Sequence, residues 1–589
     1  MNDLNSFYKA QIQKYRVELS QIKKRLFASS MLRLTVFCLC VVGIYFVFGN
    51  LKWVVGIALL ATLLFLFLVS RHSDLQFKRD CLLQLIKINE TELQVLGRNF
   101  HNLPEGKLFK DPLHHFSQDI DLFGRGSFYQ YANRTALPQG NATFAALIKE
   151  NSINDIPAKQ EAIKELAQMP KWRQYFSAVA ILTKTETSTK KIVNWLASYS
   201  AFVPDMMRYV PWVFSIITLT WFILYFFDVV PESLLIVWLF IGLGITGIYT
   251  KEITKLASDS SKAQSTFQQY NKLLTQIEDT DFRSAYLNKM KGNILGESEK
   301  TSAVLKKFSK LLNSLDKNNN LFYLIFANGF FLRTLIHSHK TEKWIEKYGD
   351  SVEKWFDTIA FFDAYNSLGN FAFNHPTYSF PKLCDSDVVL KSEGAGHPLL
   401  HPEKSVVNDF EIDDEQFFII TGANMAGKST FLRTVALQIV MANVGLPVCA
   451  SQTEYSPIKL ITSMRTTDSL TDDESYFFSE LKRLKFIVDE IQNDRYFIVL
   501  DEILKGTNST DKAEGSRKFV QRLVASKSTG IIATHDLSLC EVADKLPKVE
   551  NHYFDAEIID NELHFDYKFK EGICQNMNAS FLLKKMDIV

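Results

Sequence analysis

Cysteine is scarce and scattered. Its seven copies (Cys38, Cys40, Cys81, Cys384, Cys449, Cys540 and Cys574) form no C-x-x-C pair and no Cys/His spacing of a zinc site. That sets aside a structural zinc module and points to reduced thiols in a cytosolic compartment. Net charge is nearly missing too: 66 basic residues against 65 acidic ones leave +1. Bulk charge therefore carries no polyanion signature, and any contact with nucleic acid needs a local patch. There is no internal repeat and no low-complexity tract, and residues 251–350 are helix-rich without a sustained heptad. Solenoid and extended coiled-coil architectures are set aside with them.

The chain does have length and apolar surface. Its 589 residues exceed what one core holds, so two to four domains are expected. Aromatic residues make up 13%, with 47 Phe, which suits some lipid-facing surface. Four apolar runs stand out: 34–48 (LTVFCLCVVGIYFVF), 53–70 (WVVGIALLATLLFLFLVS), 209–227 (YVPWVFSIITLTWFILYFF) and 234–250 (LLIVWLFIGLGITGIYT). Each approaches the roughly 20 residues that cross a bilayer. They pair as two hairpins with tips GNLK and DVVPES, and Trp53, Tyr209 and Trp212 sit near run ends as interfacial aromatics do. Helices of a soluble core carry a polar stripe, and these runs carry none. A cleaved signal peptide does not fit, because about 30 polar residues come first and a second run follows at once.

The flanks set an orientation. Lys14, Arg16, Lys23, Lys24, Arg25 and Arg33 precede the first run, Arg71 and His72 follow the second, Arg208 precedes the third, and Lys251 and Lys255 follow the fourth. The hairpin tips hold Lys52 at one and Asp228 and Glu232 at the other. The positive-inside rule then expects an integral protein of the cell (inner) membrane with both termini and residues 71–205 in the cytosol. The expected order is a polar N-terminal helix (1–32), a transmembrane hairpin (33–70), a cytosolic helical segment (71–205), a second hairpin (206–250), a helical lever with a short arm (251–385) and a catalytic domain (386–589).

The chemistry lies in that last part. Residues 417–430 read FFIITGANMAGKST: an apolar strand, then Gly422, Ala423, Asn424, Met425, Ala426, Gly427, Lys428, Ser429 and Thr430, then a helix. This is a complete P-loop pattern. Its glycines let backbone N–H groups turn around phosphates, and the helix start adds its positive dipole end. Lys428 suits the β- and γ-phosphates of ATP, and the Ser429 hydroxyl suits Mg²⁺. A second apolar strand, YFIVL at 496–500, ends in Asp501-Glu502, a Walker B arrangement. Asp501 is expected to hold Mg²⁺ through water, and Glu502 to position or deprotonate the attacking water. A third strand, TGIIAT at 529–534, ends at His535, placed to sense the γ-phosphate or to act as a hydrogen-bonded structural histidine. Three strands ending in polar chemistry predict an α/β domain with a mainly parallel sheet and its ligand at the strand C-ends.

These blocks resemble the MutS mismatch-repair ATPases. TGANMAGKSTFLRTVALQIVMANVGLPVCA is similar to that family's TGxNMxGKST block, including the distinctive Asn424-Met425 pair. LDEILKGTNSTD (500–511) resembles LDEIxxGTxxxD, ATHD (533–536) its ATH switch, and GHPLL (396–400) with Asn408-Asp409 the block before the P-loop. YKFKEGICQNMNASFLLKKM (567–586) resembles the closing helix, without the Gly that usually follows the Ser. Residues 121–148 and 362–372 resemble parts of the helical core more weakly.

The resemblance implies an ABC-type P-loop ATPase domain, preceded by an all-α core, that closes as a homodimer around two nucleotides with Mg²⁺. Lys428, Ser429, Asp501, Glu502 and His535 would come from one subunit, and Ser475 and Asp511 would act across the interface. Two departures are visible. Ser475 stands between Asp473-Glu474 and Tyr476-Phe477-Phe478, where the family usually has a basic residue before and S-T-F-M. No mismatch-reading domain with its Phe-x-Glu wedge is present, and the hairpins occupy that part of the sequence. Residues 260–320 read as one helical arm whose Lys289, Lys291, Lys300, Lys306, Lys307 and Lys310 suit either phosphate contacts or a solvated face.

Three functions are consistent with these features. The first is a membrane-anchored MutS-like ATPase coupled to mismatched or branched DNA. The second is a nucleotide-switched membrane scaffold without DNA. The third is an ABC-type transporter, against which stand the missing LSGGQ-type signature and hairpins without intramembrane charge. A reporter fused after Val589 is expected to be active on the cytosolic side only; an external signal would overturn the topology.

Overall fold

The uncharged N-terminal runs do not stand as separate helices. They propagate into the polar segments beside them, giving α1 (Asn2–Phe46) and α2 (Leu51–Leu96). In the computed structural model, which describes residues 2–183, 187–296, 299–316, 321–465, 476–504, 509–559 and 562–575, the chain divides into two units. One comprises Met1–Glu92, Thr135–Asn141 and Lys171–Asp363, the other Leu93–Arg134, Ala142–Pro170 and Ala364–Val589. Residues 93–134 and 142–170, grouped by sequence with the helical segment, thus cluster with the C-terminal part.

In the first unit α1 and α2 are antiparallel. Arg16 donates to Glu90 at 2.8 Å, Ser29 Oγ meets His72 Nδ1 at 3.2 Å, and Gly43 faces Ile57 nearer the tip. At 1.5 Å per residue each helix is roughly 68 Å long, twice the ~30 Å hydrocarbon core of a bilayer. The excess is the polar half. The apolar half has Phe37, Leu39, Phe46, Leu60 and Phe67 facing outward, and none of the most apolar stretch of α1 is buried.

The second pair of runs forms α3 (Val210–Phe226) and α4 (Glu232–Ile248), 17 residues each. That gives roughly 26 Å, the short end of a span. The next helix, α5 (Thr250–Glu278), leaves α4 at 66°. Among the described residues two helices are long and apolar enough to cross a membrane, or three if α4 and α5 are one bent span; α3 is shorter. Sequence reading expects four.

The structure also adds an element. Past α6 (Thr301–Asp316), the chain forms α7 (Leu321–Phe331) and then α8 (Arg333–Tyr348), and α7 packs against both α3 and α4. A Cβ on Gly242 would lie 2.2 Å from the Gly329 carbonyl, so these backbones touch, as small residues permit between apolar helices. The Trp238 indole donates to Thr218 Oγ1 at 2.8 Å, and that hydroxyl lies 2.7 Å from the Phe330 carbonyl.

The 260–320 segment is a folded pair rather than one arm. α6 returns along α5, with Ser302 N donating to Glu278 at 3.0 Å and Phe267 meeting Phe308 at 5.0 Å between ring centroids. Of the six lysines, Lys291 is buried on the Thr280 carbonyl, Lys300 pairs with Asp279, and Lys307 with Glu299. Those three serve the unit's own surface.

In the second unit the near-continuous apolar runs become buried parallel strands, as strands covered on both faces must be. The sheet comprises β1 (Phe417–Gly422), β2 (Lys459–Ser463), β3 (Tyr496–Asp501), β4 (Thr529–Ala533), β5 (Val549–Phe554) and β6 (Lys570–Glu571), in the order β6-β5-β1-β4-β3-β2. All neighbours are parallel except β6, which is antiparallel to β5. A smaller four-stranded sheet comprises Lys382–Leu383, Gln452–Tyr455, Val388–Ala395 and Asn408–Asp413. Beside edge strand β2 lies the 115–121 segment. Thr462 N donates to the His115 carbonyl at 2.9 Å, Thr462 Oγ1 to Asp119 at 2.6 Å, and Arg465 grips Asp121 at 2.6 and 2.8 Å. The edge is thereby covered.

This unit carries four histidines held near pKa 4, each chiefly by burial: His114, His375, His397 and His552. Below the ordinary value of about 6.5 the unfolded chain takes up protons that these folded sites refuse, so stability falls with pH. The thermal unfolding midpoint of the full chain is expected to be steady above about pH 6.5 and to drop progressively from there toward about pH 4.5. An unchanged midpoint across that window would contradict the placement of these rings.

Candidate functional site

β1 runs fully buried to Gly422 and then has to turn. Gly422 has φ +145°, and a Cβ there would stand 2.4 Å from the Phe554 carbonyl of β5. Only glycine fits. Ala423, Asn424, Met425 and Ala426 form the loop, with the Asn424 and Met425 side chains outward and Ala426 buried. Gly427, at φ +111°, starts α9 (Lys428–Val444), and Phe431 N closes its first turn on the Gly427 carbonyl at 2.9 Å. The other amides of that turn have no partner within the helix, which is the property that suits a helix start to phosphates.

Lys428 is buried. Its Nζ donates to the carbonyls of Gly422 at 2.7 Å and Ala423 at 3.0 Å and lies 3.3 Å from His535 Nε2. Burial lowers its pKa, against the raising influence of Asp501 and Glu502. Ser429 Oγ donates to Asp501 Oδ2 at 2.7 Å, joining the start of α9 to the end of β3. Glu502 follows at φ +50°, its N–H bonded to the Ala533 carbonyl at the end of β4 and its Oε1 3.1 Å from His535 Nε2. Burial first, then Lys428, lowers the pKa of His535, so the imidazole is neutral near pH 7. Lys428, Ser429, Asp501, Glu502 and His535 therefore form one connected cluster at the strand C-ends. Thr430 is exposed in the first turn of α9, and Asp511 is exposed in the first turn of the helix Ser509–Val524. Ser475 lies outside the described residues, as do Asp473, Glu474 and the closing block from residue 576 onward.

One residue beside the loop carries no motif of its own. Tyr567, at φ +53°, places a ring carbon 3.2 Å from where a Cβ of Gly427 would stand. Asn408 holds it there: Asn408 Nδ2 donates to the Tyr567 carbonyl at 3.1 Å and its Oδ1 accepts from Phe569 N at 2.8 Å. The only signal in the sequence was that both residues fall in family-like blocks.

The donor set suits Mg²⁺ with a nucleotide. Among the described residues no three His, Cys, Asp or Glu gather as a metal cage. A hydroxyl and a carboxylate side by side are what Mg²⁺ takes when waters and substrate phosphates complete its shell.

Residues 418–584 match the family model of MutS domain V. Similar curated proteins include MutS protein homolog 4 of Homo sapiens, 30% identical over 236 residues, covering 38% of this chain and 25% of that protein. The DNA mismatch repair protein MutS of Clostridium tetani is 31% identical over 238 residues, covering 39% of this chain and 27% of its own. The DNA mismatch repair protein MutS of Methanosarcina barkeri is 29% identical over 350 residues, covering 54% and 37%. The C-terminal part of the chain is thus similar to domain V of the MutS family. The chain spans between a quarter and two fifths of the length of these relatives.

In this MutS-type domain Gly422→Ala would have to displace the β5 backbone, an overpacking cost of about 1–3 kcal/mol. A lowered unfolding midpoint in thermal melts is expected, whereas wild-type stability would refute the close β1–β5 approach.

Proposed function

We propose that the chain is a membrane-anchored ATPase of MutS type that hydrolyses ATP with Mg²⁺ in a composite homodimer site and couples closure to mismatched or branched DNA. The connected cluster of Lys428, Ser429, Asp501, Glu502 and His535 is the observation that carries this reading. In it the loop from Gly422 to Thr430 cradles the phosphates and Lys428 neutralises them. Ser429 and Asp501 hold Mg²⁺. Glu502 orients and deprotonates water, with His535 fixing the carboxylate and reporting the terminal phosphate. Tyr567 offers an aromatic face beside the loop for the base. Ser475 and Asp511 act across the dimer interface. ABC-type closure and the homodimer follow from the family relation, and DNA from the mismatch-repair names of the relatives.

Anchoring rests on the outward apolar surface of α1 and α2, with α3 and α4 as two short further spans, for four crossings in all. The cell membrane, with termini and ATPase cytoplasmic, follows from the flanking charges. A second reading, a nucleotide-switched scaffold without DNA, is favoured by the lysines of α6 and its flanks that are engaged on their own unit. The outward apolar helices carry no charged substrate path, which leaves the transporter least supported.

The test is ATP turnover by detergent-purified full chain without DNA and with perfect, mismatched and branched duplexes, at low and moderate salt. Glu502→Gln is expected to cut turnover by about 10²–10⁴-fold, the usual contribution of a general base, while ATP binding persists and dimers accumulate. Normal turnover in that variant would remove the assignment of Glu502. Stimulation by one DNA form, lost in salt, supports the DNA reading, and a rate indifferent to every DNA replaces it with the scaffold.

A further inference from the structure

We propose that a cleft at the rim of the second apolar helix cluster binds the phosphate of an acidic phospholipid, an inference that rests on the membrane reading above. The cleft holds about 320 Å³ and is lined by Arg208, Trp212, Ile336, His339, Lys340 and Lys343.

Its level is fixed by where the apolar helices end. Arg208 stands just before α3, Leu332 lies between α7 and α8, and α4 ends at Ile248. Met207, Phe214, Ile253, Leu332 and Leu335 belong to one buried cluster, and Ile245 and Tyr249 pack on it. The start of α3 and the ends of α4 and α7 therefore meet on one side of the apolar layer. With the flanking charges facing the cytosol, that side is the inner interface, where lipid phosphates lie. Trp212, 61% exposed on the first turn of α3, is an amphipathic ring at that depth, and Val213 and Ile216 continue the exposed apolar surface along which an acyl chain can lie.

The charge balance is positive. Lys343 is outweighed by Asp205 at 3.1 Å and Glu346 at 3.0 Å, so with Arg208 and Lys340 the cleft carries a net charge of about +1. Arg208 and Lys340 are exposed, and neither forms an ion pair among the described residues. His339 is 8% exposed, and its Nδ1 is buried without a hydrogen-bond partner. Burial first, then Lys343 and Arg208, hold its pKa down, so the ring is neutral near pH 7 and can donate to an anion rather than compete for one. Two unpaired cations, an unsatisfied imidazole and an interfacial indole are what one phosphodiester with apolar tails would satisfy.

The experiment places full-length protein in nanodiscs of mixed phosphatidylcholine and phosphatidylglycerol and counts retained lipid by native mass spectrometry. Wild type is expected to keep phosphatidylglycerol selectively. The Arg208→Gln, Lys340→Gln double variant is expected to lose most of it, on the order of fivefold for each cation removed, and Lys340→Arg to keep it. Equal retention in the double variant would overturn the proposal, as would displacement of phosphatidylglycerol by inorganic phosphate alone, which would assign the cleft to a free anion. Carbonate extraction of cell membranes separates the two failures. Release of the protein into the soluble fraction defeats the membrane reading itself, whereas a chain that stays in the membrane without preferring acidic lipid defeats this inference only.

Discussion

A buried ammonium at the end of β1 sets the terms for what surrounds it. Lys428 leaves water at a cost that only partners can offset. Two are backbone carbonyls, of Gly422 and Ala423, and they reach Nζ only because the loop curls back at two positive-φ glycines. The opposite charges come from Asp501 and Glu502 on β3, which is not adjacent to β1: β4 lies between them. All three strand ends must therefore be level. Two bonds hold them so, Thr534 N to the Ile420 carbonyl and Glu502 N to the Ala533 carbonyl, both 2.9 Å. With those in place Ser429 reaches Asp501 across the sheet end, and His535 Nε2 lies within reach of both Lys428 and Glu502. A one-residue slip would turn every buried side chain of a strand to the opposite face and take the carboxylates away with it.

If the proposed anchoring holds, the helical unit would obey the same accounting with the solvent term reversed. Where apolar side chains face outward all round, polar groups must be satisfied by neighbours within the cluster. The Trp238–Thr218–Phe330 chain does this for an indole and a hydroxyl, and Asn328 Oδ1 accepts from Thr334 N at 2.9 Å where α7 gives way to α8. The backbone contact at Gly242 and Gly329 brings α4 and α7 close enough for dispersion to hold them, which matters in the proposed membrane setting because lipid would offer no hydrophobic drive for helices to associate. The apolar halves of α1 and α2 lie exposed among the described residues, a contiguous apolar surface of the kind that marks an interaction site.

Where the chemistry demands a residue type, the sequence was readable. The glycine loop, the carboxylate pair and the histidine each follow a strand, and the parallel order of those strands brings them to one end of the sheet. The parallel sheet was legible because FFII, YFIVL and TGIIA lack alternation, the pattern of strands covered on both faces. What was not legible came from tertiary context. The 11-residue α7 is too short to read as a span, and only packing on α3 and α4 makes it part of that layer. The 115–121 segment has no strand or helix pattern, because its bonds run to Thr462 and Arg465 more than 300 residues away. Tyr567 owes its place to Asn408, a distant clamp that periodicity does not encode.

On the proposed reading, one chain supplies the groups of a nucleotide half-site: an ammonium and a carboxylate that both meet one imidazole, and a hydroxyl bonded to a second carboxylate. In the sequence, the block around Ser475 that the proposed dimer would use carries Asp473 and Glu474, where the family usually has a basic residue. A carboxylate about 4 Å from a phosphate charge costs ~1 kcal/mol in water and ~4 kcal/mol near a protein surface. Each ~1.4 kcal/mol is tenfold in rate if the cost falls on the closed state alone. On the proposed reading, binding groups on one side and repulsion on the other would make a site that holds ATP and closes reluctantly. Under the proposed dimer reading, control of closure would then lie in whatever neutralises those two carboxylates.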